Sequence, residues 1–188
     1  MRYVLMSLSI SLVALVSGSA VWAADLARAP IQAGAVALTP QNTNIEFVCA
    51  HVGDKPDPRK GSFSKFNGKA ELDASGQGLK SLSIEIDTNS LTTEFDKLTT
   101  HLKSPDFFEV RKYPTAKFES TKVAQGQLVG KLTLHGVTKE VTIPVQVKVA
   151  GGALTLESQF TIDRSEYGIN FDPSKVENKV ALKVAIGK

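Results

Sequence analysis

Cysteine is almost absent. Cys49 is the only one in 188 residues, so no disulfide can form within the chain. It stands among Phe47, Val48 and Ala50, the setting of a buried, inert thiol. Charge of one sign is lacking too. The chain has 22 Lys and Arg against 19 Asp and Glu, and Arg2 is the only charge in the first 23 residues, which leaves 21 − 19 = +2 for the remainder. That balance carries no electrostatic footprint for nucleic acid. Histidine is scarce: His51, His101 and His135. A metal site needs ligands at matched spacing, but Lys97 stands one turn before His101, and His51 is followed only by Asp54 and Asp57. Those two aspartates lack calcium-loop spacing. No G-x-S-x-G elbow occurs, and Ser90, Ser104 and Ser165 lie beside turns, where serine closes local hydrogen bonds. Gly76-Gln77-Gly78 leads into a strand rather than a helix start, so it does not cradle phosphate. These gaps remove the common catalytic and metal-dependent classes and leave an expected non-enzyme, without cofactor.

What is present begins with a leader. Arg2 is followed by an apolar run from Val4 to Val16, and Val21-Trp22-Ala23 supplies small residues at the positions a signal peptidase reads. Residues 1–23 are therefore expected to be a cleaved signal peptide. The run is too short and too rich in serine to span a membrane, so the mature protein is expected to be periplasmic or secreted. Residues 24–40, Ala-rich with Pro30 and Pro40, read as a flexible arm or loosely attached first strand, and 41–188 as one domain.

Along that domain the period is two. Ile45, Phe47 and Cys49 share a face. So do Leu82, Ile84 and Ile86; Leu128, Gly130, Leu132 and Leu134; Val141, Ile143, Val145, Val147 and Val149; and Leu154, Leu156, Ser158, Phe160 and Ile162. Val180, Leu182, Val184 and Ile186 close the chain. The polar segment Gly53 to Gly61 reads as a loop, Asn67-Gly68 as a bulge, and Pro144 as an edge or bulged position. About eight antiparallel strands are expected, in a sandwich or an up-and-down β-barrel. Such a barrel is just wide enough to be filled by side chains or to hold one small ligand. The small residues Ala70, Ala116 and Gly130 on apolar faces hint at internal space.

One stretch, residues 91–109, changes to a helical period. Phe95, Leu98, Thr99 and Leu102 fall at i, i+3, i+4 and i+7. Thr92 and Thr93 can cap the start, Glu94 and Asp96 suit the positive end of the dipole, Lys103 the negative end, and Pro105 stops the helix. A short helix with aromatics nearby is expected to sit at one mouth of the β body.

Several motifs together resemble the YceI-like family: His101-Leu102-Lys103-Ser104-Pro105-Asp106-Phe107-Phe108, then Tyr113-Pro114, then Phe118-Glu119-Ser120-Thr121. The hairpin from Gly130 to Lys139, GKLTLHGVTK, is similar to that family's, as are Gly61-Ser62-Phe63 with Phe66 and Gly68, and Arg164-Ser165-Glu166-Tyr167-Gly168. The resemblance implies a lipocalin-like barrel with an apolar tunnel that binds polyisoprenoid, quinone-like or related amphiphilic lipids. The loop from Val52 to Lys60 departs from the family pattern by its length.

The expected lipid-lining residues on strands are Phe47, Phe63, Ile84, Phe118, Leu132, Val145 and Phe160. Those on or beside the helix are Phe95, Leu98, Leu102, Phe107 and Phe108. Each buried CH₂ contributes roughly 0.8 kcal/mol, whereas association costs about 4–15 kcal/mol. A chain with on the order of 15–20 buried carbons holds on by burial, and a short one does not. A long-chain lipid is thus the expected partner, with room for peripheral membrane contact and a homodimer. Two readings compete with it: a module that docks a protein through the helix and Phe107-Phe108, and an enzyme in which the three histidines converge on a carboxylate.

Overall fold

The computed structural model describes residues 34–53 and 57–187. The expected leader, the first ten residues of the expected arm and Asp54 to Pro56 lie outside them. Two six-stranded antiparallel sheets make the body. In chain order the strands are β1 (Ala35–Leu38), β2 (Thr43–Ala50), β3 (Pro58–Phe63), β4 (Phe66–Leu72), β5 (Leu79–Asp87), β6 (Leu91–Thr93), β7 (Thr115–Ala124), β8 (Gln127–Leu134), β9 (Val137–Pro144), β10 (Gln146–Ala150), β11 (Ala153–Asp163) and β12 (Lys179–Ile186). One sheet runs β1-β4-β5-β7-β8-β9 and the other β10-β11-β12-β2-β3-β6.

Alternation holds because each strand shows one face to the core. Leu154, Leu156 and Ser158 are buried on β11 while their neighbours face solvent. The count of twelve strands among the described residues, where the sequence suggests about eight, comes from corners and short edges. Two runs that read as single strands each break and continue in the other sheet, at Ser64-Lys65 between β3 and β4 and at Val145 between β9 and β10. A corner frees backbone groups from the ladder, and these need partners. A buried serine serves each one. The Ser90 hydroxyl accepts the Lys65 amide at 3.0 Å, and Ser158 Oγ donates to the Pro144 carbonyl at 2.7 Å. Ser158 therefore lies on an apolar face because its bond is made at the corner. The two added strands are edges. Part of the segment expected as an arm is β1, paired with β4, and its Leu38 is fully buried. β6 pairs with β3. The first loop is shorter than its composition suggests, because β3 already begins at Pro58, opposite Ala50.

The helical stretch narrows to α1 (Asp96–Lys103). Phe95 is its N-cap, and neither Thr92 nor Thr93 caps it with a side chain. Thr93 instead braces the entry, its amide donating to Thr99 Oγ1 at 2.9 Å. Behind the helix, Phe107 and Phe108 lead to Tyr113. Its ring packs 4.2 Å from that of His135. His135 (φ 51°) and Gly136 (φ 76°) form the two-residue turn of the β8–β9 hairpin. His135 Nδ1 lies 3.1 Å from the Tyr167 carbonyl. Three motifs far apart in sequence thus meet at one end of the molecule.

The apolar interior falls into two clusters. The larger includes Leu38, Ile45, Phe47, Phe63, Leu128 and Leu156. The smaller is Phe107, Ala116, Leu134, Tyr167 and Ile169. Ile86, Leu102 and Phe108 touch both.

Candidate binding site

Between the two clusters lies a cavity of about 540 Å³. Its wall takes Ile45, Phe47 and Phe63 from the larger cluster and Phe107, Ala116, Leu134 and Ile169 from the smaller, with Ile86, Leu102 and Phe108 bridging. The rings of Phe47, Phe63 and Phe108 stand 5.8 to 6.2 Å apart in tilted and edge-on arrangements. Those separations and angles are the ones that aromatic pairs favour.

Of the twelve residues expected to line a lipid site, seven line this cavity: Phe47, Phe63, Leu98, Leu102, Phe107, Phe108 and Leu132. Five lie elsewhere. Ile84 and Val145 are buried in the larger cluster, Ile84 behind Gly68, where a Cβ would stand only 3.0 Å from its side chain. Phe118 folds over Gly130, whose missing side chain makes room for the ring. Phe160 pairs with Leu182 across the sheet and packs against the same cluster. Phe95 is 51% exposed, because the helix begins after it and its place in the stripe is lost. Its ring lies 5.2 Å from the Arg59 guanidinium.

The wall also holds residues that the sequence reading passed over. Ile45 and Leu182 share strand faces with Phe47 and Val180, a signal that alternation contains. Phe171 comes from an irregular loop, with its ring 4.8 Å from that of Phe107. Polar wall residues gather toward one end of the second sheet: Cys49 and His51 at the end of β2, Arg59 near the start of β3, His101 on α1, Arg164 just after β11, and Ser174 and Lys175 before β12. Burial pushes the Cys49 thiol up, against a smaller downward pull from the Arg164 charge. Such a thiol stays protonated and is a poor nucleophile. His101 Nε2 lies 2.9 Å from Asp106, and its ring meets Phe107 and Phe171 edge-on.

Arg164 is 3% exposed. It donates from Nε to Glu177 O at 3.1 Å, from one terminal nitrogen to Ile169 O at 2.8 Å, and from the other to Phe171 O and Val176 O at 2.6 and 2.9 Å. Four carbonyls of the 169–177 segment are thereby gathered on one guanidinium, which fixes that segment against the cavity. The flanking carboxylates reinforce it. Asp163 takes the Ser165 amide and hydroxyl and is held below the usual range, chiefly by that hydroxyl. Asp172 is lowered to about 2 by the Ser174 hydroxyl and then Lys175.

His51 and His101 line the cavity and His135 does not. Among the described residues no three of His, Cys, Asp and Glu gather to hold a metal, and no helix is long and apolar enough to cross a membrane.

Two antiparallel sheets around an apolar hollow, polar at one end, define an all-β protein with an internal cavity. The chain belongs to the YceI-like domain family, which matches residues 37–187. A UPF0312 protein of Pseudomonas aeruginosa is 33% identical over 186 residues, 94% of this chain and 95% of the relative. Among solved structures, BcnA of Burkholderia cenocepacia is 25% identical, with a TM-score of 0.69 over 77% of this chain and 94% of that one. A polyisoprenoid binding domain from Saccharophagus degradans, implicated in plant cell wall breakdown, shares the fold at 14% identity, with a TM-score of 0.62 over 84% of this chain and all of that one.

Proposed function

We propose that this protein is exported and binds a long-chain amphiphilic lipid, of the isoprenoid, quinone-like or acyl type, with the tail inside the cavity. The apolar hollow between Phe47, Phe63, Leu102 and Phe108 carries this reading. At roughly 30 Å³ per non-hydrogen atom, the volume share of a water in the liquid, 540 Å³ takes about 18 atoms. Burying that many methylenes offsets the cost of association. The polyisoprenoid binding of the Saccharophagus degradans domain is in keeping with it. Among the described residues Val52, in the cavity wall, and Phe95, against the wall residue Arg59, are exposed large apolar side chains, and they suit brief contact with a membrane surface during loading. A wall thiol held protonated by burial is in keeping with carriage rather than thiol chemistry.

The test is organic-solvent extraction of the protein purified from its native export route, followed by mass spectrometry. A stoichiometric lipid of about 15–20 buried carbons is expected. Protein that carries no lipid and takes none up from vesicles sinks the reading.

A further inference from the structure

The polar end of the cavity has an unbalanced sign. Among the described residues its wall carries Arg59, Lys60, Arg164 and Lys175, and no Asp or Glu. Two of these cations are answered at the surface, Arg59 by Asp57 and Lys175 by Asp172. Lys60 alternates to the outer face, since Arg59 is the residue opposite Cys49. Arg164 is different. It is buried, and it makes no ion pair among the described residues. Its carbonyl partners and the Phe107 ring, 6.0 Å from the guanidinium, offset part of the charge but supply no counter-charge, and a buried charge without one is costly. A guanidinium has five N–H groups. Four are used on carbonyls, so one remains.

We propose that the lipid this cavity takes is an anion, with a carboxylate or phosphate head seated at the polar end against Arg164, Arg59 closing over it, and the tail running between the phenylalanines. This rests on the lipid-binding reading above and adds the head-group chemistry to it. A guanidinium matches carboxylate and phosphate oxygens equally well. The head thus supplies the missing counter-charge, while the tail supplies the burial.

The test compares lipids of one chain and different heads on delipidated full-length mature protein at pH 8, by calorimetric titration. One series is hexadecanoate, hexadecan-1-ol and hexadecanamide; the other is farnesyl phosphate and farnesol. Each anion is expected to bind at least ten-fold more tightly than its neutral counterpart. A gain confined to the phosphate would identify a phosphoryl head, and a gain in both series would show that charge is what is read; either supports the proposal. Neutral heads that bind as well as anions overturn it while leaving lipid binding intact. Failure of every lipid to bind overturns the lipid-binding reading beneath it. Arg59→Gln, which leaves the carbonyl cage whole, and Arg164→Gln are expected to bring the head-group ratio toward one. If Arg164→Gln does not fold, the ratios in unaltered protein and in Arg59→Gln decide. A ratio that stays at ten-fold in a folded Arg164→Gln removes Arg164 from the site.

Discussion

Gly61→Ala separates a hollow interior from a solid one. A Cβ at Gly61 would stand 2.2 Å from the tip of the Phe47 ring and 2.6 Å from the next carbon. No backbone atom is among its nearest contacts, so the ring alone must yield. Ordinary contact begins near 3.4 Å, so the tip must retreat by a little over 1 Å. Gly61 has no left-handed backbone angle, and alanine in a strand gains about 0.5–1 kcal/mol over glycine. If the space beyond Phe47 is filled, the push is overpacking and costs about 1–3 kcal/mol. If it is the 540 Å³ cavity, the ring swings inward and the net stability change stays near zero. The guest then loses about one methylene of room, close to 0.8 kcal/mol or four-fold in affinity. Gly68→Ala is the control, since its Cβ would meet the Ser83 carbonyl at 2.5 Å, a backbone atom that cannot turn aside. Urea denaturation and lipid titration of both variants check this. A Gly61→Ala protein destabilised as much as Gly68→Ala, with guest affinity unchanged, would refute a hollow beyond Phe47.

Leu38→Ala tests whether β1 belongs to the fold. Leu38 is fully buried, so its truncation is expected to cost about 2–5 kcal/mol by urea unfolding; a loss below about 0.5 kcal/mol, the level of a surface change, would return the segment to the arm. Acid should loosen the segment around Arg164 first. Asp163 and Asp172 are held below 3.8 in the folded state, Asp172 at about 2, so their contribution is complete above 3.8 and is lost as pH falls from there toward 2. The urea midpoint is expected to drop through that window, and less steeply in Asp172→Asn; an equal drop in both would show that the acid sensitivity lies elsewhere.

Strand faces were legible because alternation is a local property. Leu82 and Ile84 on β5 and Leu154 and Leu156 on β11 are buried as their spacing implies. Neither corner was legible as a change of sheet, and Pro144 reads only as an edge or bulge. Alternation continues through Pro144-Val145, whereas at Ser64-Lys65 it breaks, with Phe63 and Phe66 both buried, in a way that a bulge within one strand would also produce; what stabilises each bend is a serine 25 or 14 residues away. β1 was legible only as the alternative to an arm, a loosely attached first strand, since four weakly patterned residues become a strand only through pairing with β4. At the site, the phenylalanines were visible as apolar residues, but their direction was not. Phe118 and Phe160 share strands with buried residues and turn toward the larger cluster, while Phe107 and Phe108 reach the hollow. Arg164 stood out only as part of a family motif, and its role did not, because an arginine after a strand reads as surface until the loop that cages it is known.

A cavity of this size is itself a term in the stability of the protein. An apolar wall left without a guest forgoes the contacts that a filled core would make. The opening at the rim lets water in and relieves part of the penalty, yet water wets an apolar wall poorly. Guest and fold are therefore coupled. A lipid at 100 times its Kd adds about 2.7 kcal/mol, and in a domain of 150–250 residues each kcal/mol moves Tm by about 2–4 °C. Delipidated protein is expected to melt about 5–11 °C below the loaded form in scanning calorimetry. Matching melting curves before and after extraction, with lipid shown to have left, would mean that the phenylalanine walls hold their shape at no cost, and the account of the hollow as a site waiting for its guest would fail.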